Sequence, residues 1–494
     1  MSTANPLSSN TLDYASPDVL QAKSARLASL DIFRGMTIAG MLLVNNPGKG
    51  TAYGPLEHVE WNGWSPTDMV FPFFLFMVGV AIPFSMAKRA SVGGESRGSL
   101  LGHVWIRALS LFMLGELLTG FPFASMGALP AGFGMLKLLR VATWLLCSAG
   151  IVGMLFPWKS RKLHALVVIG TTVLFYLLAI LIAQVNRNAL AHGLDANFAF
   201  GNGLLRPDRL RIPGVLQRIG ICYGVAASIA LFAGWRAVIG WTVLLFAIYA
   251  LLMFKMPYPG HETGSLTKED NLARKIDEWL LIRTEVRDGK TVTRWNHAYS
   301  YPDNEGALST LPAIGSVLIG ILVGMWLSRK DRSPAERCAG VMAMGVLVAL
   351  LGVFLDSWLM PINKNIWTPS FTVFMAGMGM IGLGTMFWIA DVLQRRTWAL
   401  PFKIFGMNAI GAFVVAGIVT RIGLMIRWKV SETETISLLT WTQNVAASGV
   451  HHLGRIAPGI NTQANASLAY SIVYILVILG LMSILYRLKI FLKV

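Results

Sequence analysis

Charge is scarce in this sequence. Only 14% of its 494 residues are Asp, Glu, Lys or Arg, where soluble domains run at about 25%. An ordinary soluble enzyme is excluded on that count. Acidic residues are scarcer than basic ones, 25 against 42, for a formal net charge of +17. Cysteine is nearly absent. Cys147, Cys222 and Cys338 are an odd set in or beside apolar segments, which excludes a disulfide framework and offers no zinc spacing. No apolar core of a signal peptide lies between Met1 and Lys23. Residues 1–25 are therefore expected to form a short cytoplasmic N-terminal tail.

What the chain does have is apolar residues, 54% of the total, with a mean hydropathy of +0.58. That level excludes disorder. A helix that crosses a bilayer needs about 20 apolar residues. Runs of that kind fall at about 30–47, 68–87, 105–125, 134–156, 163–184, 213–233, 236–256, 308–328, 338–360, 369–391, 402–426 and 466–487. The expected fold is all-α, a polytopic integral membrane helical bundle of about 11–12 transmembrane helices. Every second connection is basic: Lys88 and Arg97, Lys159 to Lys162, Arg236, Arg329 to Arg337, Arg395 to Lys403, and the stretch after Arg487. Lys and Arg collect in cytoplasmic loops, so both termini are expected in the cytoplasm. The same logic assigns the positive charge to topology and not to nucleic acid, and no nucleic-acid partner is expected. The bilayer is.

The opposite connections, 48–67, 185–212, 257–307, 361–368 and 427–465, are more mixed. The longest joins Glu262, Glu269, Asp270, Asp277, Glu278 and Asp303 to Trp279, Leu280 and Trp295. That mixture predicts a small folded cap at about 257–307 on a single membrane domain spanning 26–494. No internal repeat is evident.

Polar groups inside apolar runs mark functional positions. Asp31 and Arg34 sit three apart at the start of the first run and share a helix face; they read equally as an interfacial ion pair or as part of a site. Asn45 closes that run. The Gly48-Lys49-Gly50-Thr51 that follows lacks the Gly-Lys-Ser/Thr order and preceding strand of a phosphate loop, which excludes nucleotide hydrolysis on this motif. His58 lies in the loop to the second run, which Asp68 opens. Histidine exchanges a proton near neutral pH. An Asn amide can stabilise an oxyanion, and a carboxylate can orient an imidazole. Together these are the parts for acyl transfer. Against this stands the ordinary reading of a loop histidine as surface.

The ordered motifs Arg26-x-x-Ser29-Leu30-Asp31-x-Phe33-Arg34-Gly35, Val44-Asn45 and His58-x-x-Trp61-Asn62-Gly63-x-x-x-x-Asp68-x-x-Phe71-Pro72-x-Phe74 resemble the transmembrane acyltransferase family of heparan-alpha-glucosaminide N-acetyltransferase, most of all its bacterial NagX-like branch. Arg211 to Ile219, Tyr301 to Gly306, Pro361 to Phe371 and Phe405 to Asn408 extend the likeness over about 26–490. The resemblance implies a multi-pass protein of the bacterial inner membrane. It implies acetyl transfer from cytosolic acetyl-CoA to a glucosamine-like acceptor on the far side, N- or O-linked, with no metal and with homodimerisation. By the family's motif, His58 is the catalytic histidine, Asn45 the active-site asparagine and Asp68 the acid that follows. The stretch from Asn45 to His58 is about two residues longer than the family's. No match to the luminal N-terminal domain of the animal enzyme is seen, so an acceptor smaller than heparan sulfate is expected.

His58 is expected as general base, or as the carrier of a covalent acetyl group. Gln217, Arg218, Lys364 and Asn408 are candidates for acetyl-CoA binding. Arg218 could equally pair with Glu116 or Asp356, Lys364 could be an interfacial anchor, and Asn408 could bond backbone. Asp31, Arg34 and Trp61 are assigned to substrate or structural support. His451 and His452 are adjacent and do not form a metal pair on a helix. The alternative function is a transporter of N-acetylglucosamine or a related sugar. A scaffold or flippase has no positive signal.

Overall fold

A computed structural model describes residues 27–93, 96–120, 134–191 except 157 and 159, 214–287 except 261, 290–295, 305–456 except 433, and 459–492. Tyr301 to Asn304, Arg211 to Pro213, His297 and the 1–25 tail lie outside them. Among the described residues, eleven of the twelve apolar runs each form one helix, and the run at 402–426 forms two. The first seven are α1 (Ala28–Asn45), α2 (Val70–Gly93), α3 (Arg97–Gly120), α4 (Gly134–Leu155), α5 (Arg161–Ala191), α6 (Val215–Phe232) and α7 (Trp235–Lys255). The cap holds a short helix α8 (Leu272–Leu281) and an antiparallel hairpin, β1 (Ile282–Arg287) with β2 (Lys290–Trp295). The second half continues with α9 (Thr310–Ser328), α10 (Pro334–Trp358) and α11 (Pro369–Phe387). Then come α12 (Leu400–Met407), α13 (Ala409–Met425), a small hairpin of β3 (Arg427–Lys429) and β4 (Thr435–Ser437), α14 (Leu438–Ile456) and α15 (Gln463–Arg487). Among the described residues nine helices are long and apolar enough to cross a membrane, or ten if α12 and α13 count as one broken span.

Small residues set how closely these helices pack. Without a water-driven force between helices in lipid, close backbone approach supplies the contact energy. A Cβ on Gly320 of α9 would run into the Phe76 carbonyl of α2, and one on Gly79 would meet the Val317 carbonyl of α9. The two helices therefore touch backbone to backbone, and α9 is largely buried. Gly35 and Gly406 do the same for α1 and α12. Helix ends are stopped by recognisable chemistry. The first backbone N–H groups of α1, from Ala28 and Ser29, donate to the Asp391 carboxylate at 3.2 and 2.9 Å, and α10 starts at a Ser333–Glu336 capping box.

The run at 402–426, read as one span, is broken. The axes of α12 and α13 meet at a bend of 73°. Asn408 stands at the break, fully buried. Its Nδ2 donates to the Ile490 carbonyl at 3.1 Å and its Oδ1 accepts from the Leu492 N–H at 2.8 Å. The C-terminal segment thus folds back onto the break and satisfies the amide there.

Among the described residues, parts of four of the connections that the charge pattern assigns to one side meet at one face, while most of 185–212 lies outside those residues. Gly63 N–H donates to the Ile362 carbonyl at 2.7 Å, and the Trp61 indole donates to the Leu266 carbonyl at 3.0 Å. Gly48 N–H donates to Ser467 Oγ at 3.0 Å, and Gln443 reaches the Pro47 carbonyl at 3.2 Å. The loops at 46–69, 257–271, 361–368 and the region of α14 therefore form one layer over the helix ends.

Candidate active site

Asp68 sits in the 3-10 turn Pro66–Met69 that leads into α2. Ser65 caps this turn, and Ser65–Asp68 form a capping box. One carboxylate oxygen, Oδ2, accepts from the Ser65 N–H and Oγ–H, both at 3.0 Å, and from the Val59 N–H at 3.4 Å. The carboxylate is thereby fastened to the loop that carries His58. Its other oxygen, Oδ1, faces two side chains. His58 Nδ1 lies 2.6 Å away and Lys364 Nζ 3.0 Å away. The Asp68 side chain is 2% exposed and that of Lys364 12%, while His58 is 49% exposed. Asp68 and Lys364 are the buried base of the cluster, and the imidazole is its open edge.

The hydrogen bond to Asp68 fixes the ring. With Nδ1–H donating to the carboxylate, the neutral imidazole keeps its lone pair on Nε2. Charge-assisted bonds of this length are among the stronger ones in proteins. With Nδ1 so engaged, Nε2 is the ring nitrogen left to accept a proton.

Lys364 comes from the loop between α10 and α11, 306 residues along the chain from His58. That loop is rigid for visible reasons. Trp367 is fully buried with a φ of 50°, a left-handed conformation rare for a bulky residue and concentrated at functional sites. Its ring packs edge-on against Phe71 and Phe371 at 5.2 and 5.3 Å. Its N–H closes a turn on the Lys364 carbonyl at 3.1 Å. Asn363 braces the turn, accepting from Ile366 N–H at 3.1 Å and donating to the Asn62 side chain at 3.0 Å. Burial pushes the Lys364 amine below the usual lysine range, against the pull of Asp68 and, more weakly, Glu305. Sequence reading placed Lys364 with the donor. The structure places it in direct contact with His58 and Asp68.

The other expected site residues fall at several places. Asn45 ends α1 and is exposed, and among the described residues no hydrogen bond joins it to His58. Its neighbour Asn46 is the one tied into the bundle: it accepts from Thr420 Oγ1 at 3.2 Å, and its carbonyl accepts from Ser471 at 2.9 Å. Arg218 is fully buried at the start of α6. It donates to the Gly306 carbonyl at 2.8 Å and to Ser309 Oγ, and its guanidinium lies over the Trp367 ring at 5.2 Å. Through Trp367 it borders the Lys364 turn. The Glu116 carboxylate accepts from Gln217, at 3.1 Å. Asp356 accepts from the Ile362 N–H at 2.5 Å, at the head of the Lys364 loop. Trp61 bridges the His58 loop to the cap.

Asp31 and Arg34 pair at 3.5 Å, and Arg34 also reaches the Gly406 carbonyl at 3.4 Å. They lie at the opposite end of α1 from Asn45, about 20 Å away by helix rise, and serve the α1–α12 contact. Asn408 is occupied by the C-terminal backbone. His451 and His452 are exposed on α14, and among the described residues no three metal-binding side chains converge.

Comparison with known proteins adds to this geometry. Residues 26–197, which include Asn45, His58 and Asp68, match the family described as heparan-alpha-glucosaminide N-acetyltransferase, catalytic. The heparan-alpha-glucosaminide N-acetyltransferase of Mus musculus is 26% identical over 453 residues, covering 84% of this chain and 56% of its own length. That of Homo sapiens is 25% identical over 470 residues, covering 87% and 58%. The chain thus spans a little more than half the length of these curated relatives. Over residues 26–197 the chain is thus similar to the catalytic family of heparan-alpha-glucosaminide N-acetyltransferase.

Proposed function

We propose that this protein is a membrane-bound acetyltransferase that moves an acetyl group from cytosolic acetyl-CoA to an amino sugar at the opposite face, with His58 as general base. The observation that carries the reading is the 2.6 Å contact between His58 Nδ1 and buried Asp68, which leaves Nε2 as the acceptor nitrogen of a half-exposed ring. An ammonium has no lone pair, so the acceptor amine must lose a proton before or during attack on the thioester. His58 Nε2 takes it. The amine nitrogen bonds to the acyl carbon, the C–S bond breaks, the proton His58 carries leaves on the thiol, and the nitrogen's second proton passes to water as the amide forms. Asp68 holds the imidazole and stabilises its cation while it carries the proton. Asn45, at the end of α1, is the proposed donor to the oxyanion; it meets the developing charge only with both substrates in place.

The donor's phosphates suit the basic helix ends at Arg236, Arg329 and Lys330. These border an apolar cavity of about 1860 Å³ whose lining extends to Leu359 and Pro369, beside the Lys364 loop. An elongated, weakly polar arm fits such a lining.

The test is acetyl transfer by the purified full-length chain, with labelled acetyl-CoA and a panel of amino sugars. Label on one sugar, lost in His58→Ala, is the expected result and names the acceptor. No label on any sugar, together with uptake of unmodified sugar by proteoliposomes, would replace this reading with transport.

A further inference from the structure

We propose that Lys364 is a positioning residue that keeps the His58 imidazole unprotonated and ready to act as base. The inference rests on the reading of His58 as that base. Lys364 Nζ lies 3.0 Å from His58 Nδ1 and 3.5 Å from Nε2. A group placed along the Nδ1 lone-pair direction would be much farther from Nε2 than from Nδ1. The near-equal distances instead put the ammonium over the ring face. Its hydrogen bond goes to Asp68 Oδ1, at 3.0 Å, the same oxygen that accepts from the imidazole.

The consequence follows from charge. Asp68 alone, buried beside Nδ1, would hold an imidazolium by direct ion pairing, and an imidazolium has no lone pair with which to take a proton from the acceptor. A cation within hydrogen-bonding distance of the same ring opposes that second positive charge. Asp68 and Lys364 together are neutral, so the carboxylate can orient the imidazole without protonating it.

The surrounding charges do not replace Lys364. Glu305, before α9, is buried and pulls on Lys364 itself. On the His58 loop, Glu60 pairs with Lys268 of the cap at 3.1 Å. Glu57 accepts from the Ala52 N–H at 3.3 Å. The left-handed turn at Trp367 and the Asn363–Asn62 brace hold the lysine where it is. A lysine that served only to neutralise Asp68 would need no particular relation to the ring.

Diethylpyrocarbonate, which attacks unprotonated imidazole, reads this directly at half-exposed His58. The full chain in nanodiscs is labelled across pH roughly 5 to 8, and the peptide carrying His58 is followed by mass spectrometry. Lys364→Gln keeps a donor to Asp68 but removes the charge. It should move half-modification upward by about one pH unit or more, and the rise of acetyl transfer with pH should move with it. Lys364→Met should do the same, and Lys364→Arg should return the wild-type profile. Profiles for Lys364→Gln and Lys364→Met that coincide with wild type would overturn the proposal, as would an equal shift in Lys364→Arg. Labelling does not depend on turnover. A shifted profile in a protein that transfers no acetyl group would therefore refute the acetyltransferase reading and leave the role of Lys364 standing.

Discussion

Replacing Asp68 by Asn tests the cluster most severely, because one side chain joins all its parts. Asp68 is 1% exposed. Its Oδ2 accepts from Ser65 and Val59, and its Oδ1 accepts from His58 and Lys364. An Asn amide has one oxygen to offer. If that oxygen stays with the loop N–H groups, the NH₂ meets the Lys364 ammonium and the His58 Nδ1–H, donor against donor. The imidazole then turns or changes tautomer, and Nε2 loses its lone pair. If the amide flips, the Ser65 N–H loses its acceptor and the capping box opens. Either way Lys364 is left as a buried cation without its counter-charge, a loss of about 3–5 kcal/mol for buried pairs broken on one side. The corresponding change in a Ser-His-Asp triad lowers turnover by about 10⁴, and a fall of about 10³–10⁴ in acetyl transfer is expected here. Turnover by Asp68→Asn protein is measured beside its thermal unfolding in the same detergent. A variant that keeps more than about a tenth of wild-type turnover, with its unfolding midpoint unchanged, would refute both the tautomer argument and the pairing.

Two further outcomes follow from the packing. Asn408→Ala removes two partly buried hydrogen bonds to the C-terminal backbone, at about 1 kcal/mol each; it should lower thermal stability by about 2 kcal/mol and expose residues 488–492 to carboxypeptidase, and an equally protected tail would show that Asn408 is not its fastening. Lys364 gives a pH dependence. Burial holds its amine below the usual range near 10.4, so between its folded value and that range the unfolded chain binds more protons, and stability rises with pH there. The stability of wild type relative to Lys364→Met should therefore climb through that alkaline window, and a flat difference would contradict the burial.

The helices were legible because apolar runs of about 20 residues have one physical reading in a chain so poor in charge. The grouping of loops on one face was legible in the alternation of Lys and Arg. The break at Asn408 was not, since no glycine or proline stands at 408 and the backbone that satisfies its amide lies more than eighty residues later. Helix α14 was hidden for a different reason. Its residues Thr440, Gln443, Asn444, His451 and His452 make it too polar to count as an apolar run, and it belongs to the loop layer instead. At the site, His58 and Asp68 were legible from spacing and motif, and their contact is present. The convergence of Asn45 on them was an expectation that the geometry leaves at the stage of an exposed helix end. Lys364 was recognised as notable but assigned to the donor, because sequence distance carries no information about which loops lace together. The brace at Asn62, Gly63, Ile362 and Asn363 supplies that information.

The proposed role of His58 is to take the proton that allows an amine to attack a thioester. Single-turnover acetyl transfer, followed by release of the CoA thiol with wild type and His58→Ala in matched nanodiscs, tests it most directly. Thiol release should depend on the amino sugar in wild type and fall by at least about 10²-fold in His58→Ala. Equal release from both proteins would contradict it.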